Sequence, residues 1–164
     1  DAMVVGMERV TERGIKNVRF LDRDAVNLLD MFAPGEVDRM YINFCDPWPS
    51  KKHAKRRLTY EGFLRSYRDF LKDGGVIEFK TDNAPLFEFS LKEFAHCNLE
   101  LRNVTHDLHA DGPVGIMTGY EEKFYALGTP INRVEAAVVT KQPRPEDPKE
   151  ETDADAAAEE TAEE

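Results

Sequence analysis

The chain is predicted to be an α/β protein with a mostly parallel sheet and helices on both faces. Two observations carry this. Short apolar runs of strand length alternate with segments of helical periodicity from end to end. The run Met40–Phe44 is nearly continuous in apolar residues, the pattern of a strand covered on both faces.

Taken in order, residues 2–13 read as an amphipathic helix, with Val4, Val5, Met7 and Val10 among polar residues and Gly14 as its stop. Asn17–Leu21 reads as a short strand. Asp22–Asp24 is a polar turn, and Ala25–Phe32 is a short helix ending before Pro34-Gly35. Val37–Phe44 is the next strand and residues 45–58 form a loop. Thr59 is the expected N-cap of a helix over Thr59–Leu71, with Phe63, Leu64, Tyr67, Phe70 and Leu71 on one face. Asp73-Gly74-Gly75 ends it. Val76–Lys80 reads as a strand, Ala84–Cys97 as a helix with Pro85 in its first turn, and Leu99–Thr105 as a strand. His106–Tyr120 is a loop and Glu122–Leu127 a last strand. From Gly128 the composition shifts to prolines and then to an acidic Ala/Glu/Asp/Thr tail. The expected division is a partial catalytic domain over 1–127 and a Pro-containing linker with a disordered tail over 128–164.

The net charge of −10 is unevenly spread. Residues 141–164 hold three basic against ten acidic groups, leaving the rest at −3. Five of the basic residues in that remainder lie between Lys51 and Arg57. A near-neutral body with one basic patch is compatible with a polyanionic partner. No run of eighteen apolar residues marks a membrane span, and residues 1–10 lack the pattern of a secretory signal. Cys45 and Cys97 have no metal or redox spacing, which points to reduced thiols and a cytoplasmic setting. The chain opens at Asp1 directly into a helix, as expected of a fragment.

In α/β folds ligands gather at the carboxyl ends of strands. There Asp46-Pro47-Trp48-Pro49 combines an acid with an aromatic face on a turn stiffened by two prolines. A carboxylate can accept from the N1–H and exocyclic amine of guanine, and Trp48 can stack on a base. The alternative is a strand-ending acid with Trp48 packed in the core. The block Lys51-Lys52-His53-Ala54-Lys55-Arg56-Arg57 suits phosphate contacts, or else is a solvated charged face. His106-Asp107-Leu108-His109-Ala110-Asp111 reads as a polar loop, with a metal cluster as the alternative.

Ile42–Leu58 resembles the bacterial tRNA (guanine-N7-)-methyltransferase family in its D-P-W-P-K-x-R-H-x-K-R-R-L segment. The resemblance extends to Asn17–Leu21 with Arg23-Asp24-Ala25, to Phe79-Lys80-Thr81-Asp82-Asn83, and to Thr118-Gly119-Tyr120-Glu121-Glu122-Lys123-Phe124. It implies a Rossmann-like class I methyltransferase fold that uses S-adenosyl-L-methionine to methylate N7 of a guanosine in the tRNA variable loop. By position it implies Asp24 and Asp46 as cofactor contacts, with Asp46 also the catalytic acid. It implies Ser50, Asp82, Thr118, Gly119, Tyr120 and Glu121 as substrate contacts, and Lys52, His53, Ala54, Lys55, Arg56 and Arg57 as the RNA-binding arm. No metal is implied, tRNA is the partner, and the protein is a monomer or homodimer without a membrane role. The family has Lys where this chain has Ser50. The family's first two strands and Gly-rich cofactor loop have no counterpart here, and Asn17–Leu21 matches its third strand. The chain by itself is therefore expected to bind the cofactor poorly, and a non-catalytic RNA-binding remnant is the alternative function.

Overall fold

The computed structural model describes residues 2–139. In chain order these form α1 (Ala2–Glu12), a 3₁₀ helix (Ala25–Asp30), β1 (Val37–Asn43), a second 3₁₀ helix (Lys51–Arg56), α2 (Glu61–Phe70), β2 (Leu71–Thr81), α3 (Ala84–His96), β3 (Glu100–Thr105), α4 (Gly119–Ala126) and β4 (Asn132–Ala137). The sheet order is β1-β2-β4-β3. β1 and β2 are parallel, while β4 runs antiparallel to both β2 and β3. Three strands thus share one direction and β4 opposes them. The predicted α/β class holds, but the expected mostly parallel sheet is mixed: among the described strands only β1–β2 pair in parallel.

One sheet face is apolar. Ile42, Ile77, Phe79, Val134 and Ala136 lie beneath α2 and α3. α2 contributes Leu64, Tyr67 and Phe70 at helical spacing. α3 starts on Asn83, whose Oδ1 accepts from Leu86 N at 2.9 Å, and contributes Leu86, Phe87 and Phe94. Phe79 packs against Phe87 and Phe94 at ring-centroid distances of 6.2 and 6.1 Å. Each such aromatic contributes about 1.5–3 kcal/mol by leaving water. At the edge of this core the buried Ser90 hydroxyl donates to Leu86 O at 2.7 Å. Thr59 Oγ1, also 2.7 Å away, must therefore donate to Ser90. The hydroxyl predicted to cap α2 is thereby spent on α3, and Tyr60 stands at the cap position instead.

The opposite face is charged. Arg39 reaches Glu78 at 2.9 Å and Glu135 at 3.5 Å, and Arg133 bridges the same two acids. Tyr41 and Asn43 are exposed there, so β1 is covered on one face and not on two.

Four further expectations need correction. Asn17–Leu21 is irregular, because a strand needs a hydrogen-bonded neighbour and no described strand offers one. β2 begins at Leu71, and residues between Leu71 and Val76 bulge out of register with β1. Gly75 is needed there, since a Cβ would sit 2.8 Å from Lys72 O. Glu122–Leu127 belongs to α4 and not to a strand. Thr118 and Glu121 form a reciprocal capping box that starts that helix. The boundary at residue 127 falls inside the fold, because Asn132–Ala137 is an interior strand with four of its six residues buried. The acidic tail lies outside the described residues. The stop of α1 is as read: Gly14, at φ 63°, donates to Thr11 O while Ile15 N donates to Val10 O.

Candidate active site and nucleic-acid interface

The chain leaves β1 abruptly. Phe44 N donates to Lys80 O at 2.9 Å, and Phe44 itself sits at φ 52°. Trp48 follows at φ 43°. Left-handed backbone at residues with a side chain costs about 1–3 kcal/mol and persists only where neighbours impose it. Arg57 imposes it on the turn. Its Nε donates to Pro47 O at 3.1 Å, its Nη2 to Trp48 O at 3.0 Å, and its guanidinium lies 4.2 Å from the Phe89 ring centre. Arg56 lies over the Trp48 ring at 4.9 Å, and His53 meets that ring edge-on at 5.9 Å. Trp48 is half-buried under this cover. The turn presents Asp46 to solvent, and among the described residues its carboxylate accepts no hydrogen bond. Burial pushes the neighbouring Cys45 thiol up to about 11, which keeps it protonated and unreactive.

The exit of β2 holds a buried ionic cluster. Lys80 Nζ lies 3.1 Å from both carboxylate oxygens of Glu121, whose side chain is fully buried. His109 Nε2 is 2.9 Å from Glu121 Oε1. Glu121 also accepts from Thr118 N at 3.3 Å, while its own N–H donates to Thr118 Oγ1 at 3.1 Å. The next residue on the α4 turn, Tyr120, points back toward the site. Its hydroxyl donates to Asp82 Oδ2 at 3.4 Å, and its ring lies 4.7 Å from that of Phe44 and 4.3 Å from that of Phe124. Asp82 and Tyr120 therefore meet beside the residue that starts the Asp46 turn. A cleft of ≈ 350 Å³ opens next to this cluster, between Tyr41, Asn43, Lys80 and Arg133 of the sheet and Val114 and Ile116 of the following loop.

The remaining predicted residues fall as follows. Asp24 caps the first 3₁₀ helix, its Oδ1 accepting from Val26 N at 3.0 Å. Ser50 stands at the start of the second, where its hydroxyl makes no capping bond and its carbonyl accepts from His53 N. Lys52, His53, Lys55 and Arg56 are exposed along that short helix, Ala54 is half-buried, and Arg57 is turned inward. The exposed basic surface of the arm is thus Lys52 to Arg56, with Arg57 as its clamp. Glu121 likewise holds structure: both oxygens are taken by Lys80 and neither reaches solvent. Among the described residues no three His, Cys, Asp or Glu side chains converge as metal ligands. His106 pairs with Glu88 at 2.8 Å, away from His109. Sequence reasoning passed over Lys80, Phe44 and the pairing of His109. Lys80 lay inside a quoted motif, but only the fold brings its ammonium to Glu121.

An α/β sheet with acids and an aromatic turn at its strand ends is a layout able to hold a small polar ligand. Residues 3–134 match the family model described as "Putative methyltransferase", and the chain belongs to that family. It is 52% identical over 134 residues to the tRNA (guanine-N(7)-)-methyltransferase of Bacillus subtilis, covering 81% of this chain and 63% of that one. Identity to the proteins of the same name from Streptococcus suis and Bacillus velezensis is 51% over 131 residues and 50% over 140. Those alignments cover 79% and 85% of this chain, and 62% and 64% of the relatives. The chain therefore spans a little under two thirds of the length of these relatives.

Proposed function

We propose that this chain carries the base-presenting and RNA-contacting part of a tRNA (guanine-N7-)-methyltransferase. The observation that supports it most is the meeting of Asp82, Tyr120 and Phe44 beside the exposed Asp46 turn, with the cationic arm following directly. Guanine N7 carries a lone pair and no proton, so the reaction calls for alignment and not for a general base. Methylation leaves positive charge on the base. The carboxylates of Asp46 and Asp82 are the groups of this chain that would stabilise it. Tyr120 offers a ring edge of the stack, and Asp82 offers acceptor oxygens for guanine donors. Lys52, Lys55 and Arg56 supply the salt-dependent phosphate contacts.

The donor set of this chain fits part of the methyl-donor site. Asp46 has both carboxylate oxygens open to an amine, and Asp24 keeps Oδ2 open while Oδ1 caps a helix. S-adenosyl-L-methionine, when bound, supplies a methyl group activated on a cationic sulfur. Asp24 and Asp46 would hold it by accepting from its amines and by favouring its charge. Ser50 cannot supply the cation that the family places there, and Lys51 is the adjacent replacement. The substrate sets the cytoplasm as the place of work, as monomer or homodimer. Among the described residues no helix is long and apolar enough to cross a membrane.

The test is transfer of labelled methyl from S-adenosyl-L-methionine to unmodified tRNA by the full-length protein. Wild-type protein should label tRNA, and Asp46→Asn should lose about a hundredfold or more of that rate, the scale of removing one charge-stabilising group. Equal rates for the two would remove Asp46 from the chemistry.

A further inference from the structure

The loop before α4 has little to hold it. Gly112 and Gly115 sit at φ 119° and 67°, and Ile116 is 94% exposed. Its inner anchor is polar. Val114 N donates to His109 Nδ1 at 3.1 Å, so that nitrogen carries no proton. The proton must then sit on Nε2, which donates to Glu121 Oε1 at 2.9 Å. The His109 ring is buried, 3% exposed, and packs against Tyr125 at 5.2 Å. One neutral imidazole thus joins the loop backbone to the acid that caps α4. That same acid is held by Lys80, whose carbonyl starts the Asp46 turn. Tyr120 stands one residue before Glu121 and is aimed at Asp82 by the same helical turn.

We propose that His109 is a positioning residue for base recognition. As the neutral Nε2–H tautomer it holds Glu121, and so fixes Tyr120 against Asp82 and Phe44, while its Nδ1 separately anchors Val114 of the loop. This rests on the reading of Asp82 and Tyr120 as guanosine contacts. His109 does not touch the base. Its effect is confined to the placement of Tyr120, and so to the substrate term of the kinetics.

Two substitutions separate its two bonds. Gln places an N–H near the Nε2 position and keeps the donor to Glu121. Asn places an oxygen near the Nδ1 position and keeps the acceptor for Val114. In the full-length protein, His109→Ala should raise KM for tRNA about tenfold, the scale of one buried hydrogen bond. Its kcat should stay within about twofold, and calorimetric affinity for S-adenosyl-L-methionine should be unchanged. His109→Gln should recover most of the KM loss, and His109→Asn should not. Amide hydrogen exchange over residues 110–118 should speed up about tenfold in His109→Ala without any RNA present. Wild-type protein active on tRNA with His109→Ala equal to it in KM overturns the inference and leaves the substrate reading intact. Wild-type protein inactive on tRNA refutes the substrate reading, and unchanged exchange in His109→Ala then overturns the tie as well. If His109→Ala does not fold, equal KM values for the Gln and Asn variants overturn it.

Discussion

Replacing Lys80 with Met removes the cation from a carboxylate that has no route to water. Glu121 is fully buried and its two oxygens each lie 3.1 Å from Lys80 Nζ, itself 9% exposed. Deleting one partner of a buried ion pair costs about 3–5 kcal/mol, because the other charge remains buried and uncompensated. His109 and the Thr118 N–H still donate to Glu121, which places Lys80→Met near the lower end, about 3 kcal/mol. With a urea slope of about 2 kcal/mol per molar, the midpoint should fall by about 1.5 M. Far-ultraviolet circular dichroism of the full-length protein in urea measures it. Glu121→Gln keeps the shape and removes the charge, so the double variant Lys80→Met/Glu121→Gln completes a cycle. The pair should show a coupling of about 2 kcal/mol. Effects that add to within about 0.5 kcal/mol would refute the idea that these groups share one buried interaction.

Other consequences divide the basic arm and the thiols. Arg57→Ala should lower stability by about 1–3 kcal/mol through loss of its bonds to Pro47 O and Trp48 O, seen as a lower urea midpoint. Arg56→Ala should lower stability by no more than the ~0.5–1 kcal/mol of its exposed contact with Trp48 while weakening tRNA binding and flattening its salt dependence by about one unit of slope. Tyr120→Phe keeps the stack and loses only the long bond to Asp82. It should raise KM for tRNA by about two- to fivefold with stability within about 0.5 kcal/mol of wild type. Cys45 and Cys97 are both pushed by burial from an ordinary 9.0 to about 11. The folded state then keeps protons that the unfolded state gives up, so stability should fall as pH rises from 9.0 toward about 11. Chemical unfolding midpoints across that range check the sign.

Much of the sheet was legible because its strands and helices carry strong periodic patterns. α2 and α3 show apolar residues at helical spacing, and β1, β2 and β3 are bounded by turn residues. The misreadings have physical causes. Asn17–Leu21 has strand-like residues, but pairing is a property of two segments. Asn132–Ala137 is poor in β-branched and aromatic residues, with alanines and two charges, and reaches the sheet interior because Arg133 and Glu135 join the ionic ladder on the charged face. Glu122–Leu127 has strand-like residues but is helical, and the Thr118–Glu121 spacing of a capping box is the sequence signal that marks it as such. At the site, Asp46, Asp82 and Tyr120 were legible as motif residues. The inward turn of Arg57 and the Lys80–Glu121–His109 cluster were not, since they depend on how the fold aims side chains that stand between 9 and 41 residues apart in sequence.

The most direct measurement uses two synthetic tRNA substrates, identical except that the variable-loop guanosine is replaced in one by 7-deazaguanosine. The full-length protein should transfer labelled methyl to the first and none to the second, because the second has carbon where N7 should be. Equal labelling of both substrates, or labelling of neither, would contradict methylation at guanine N7.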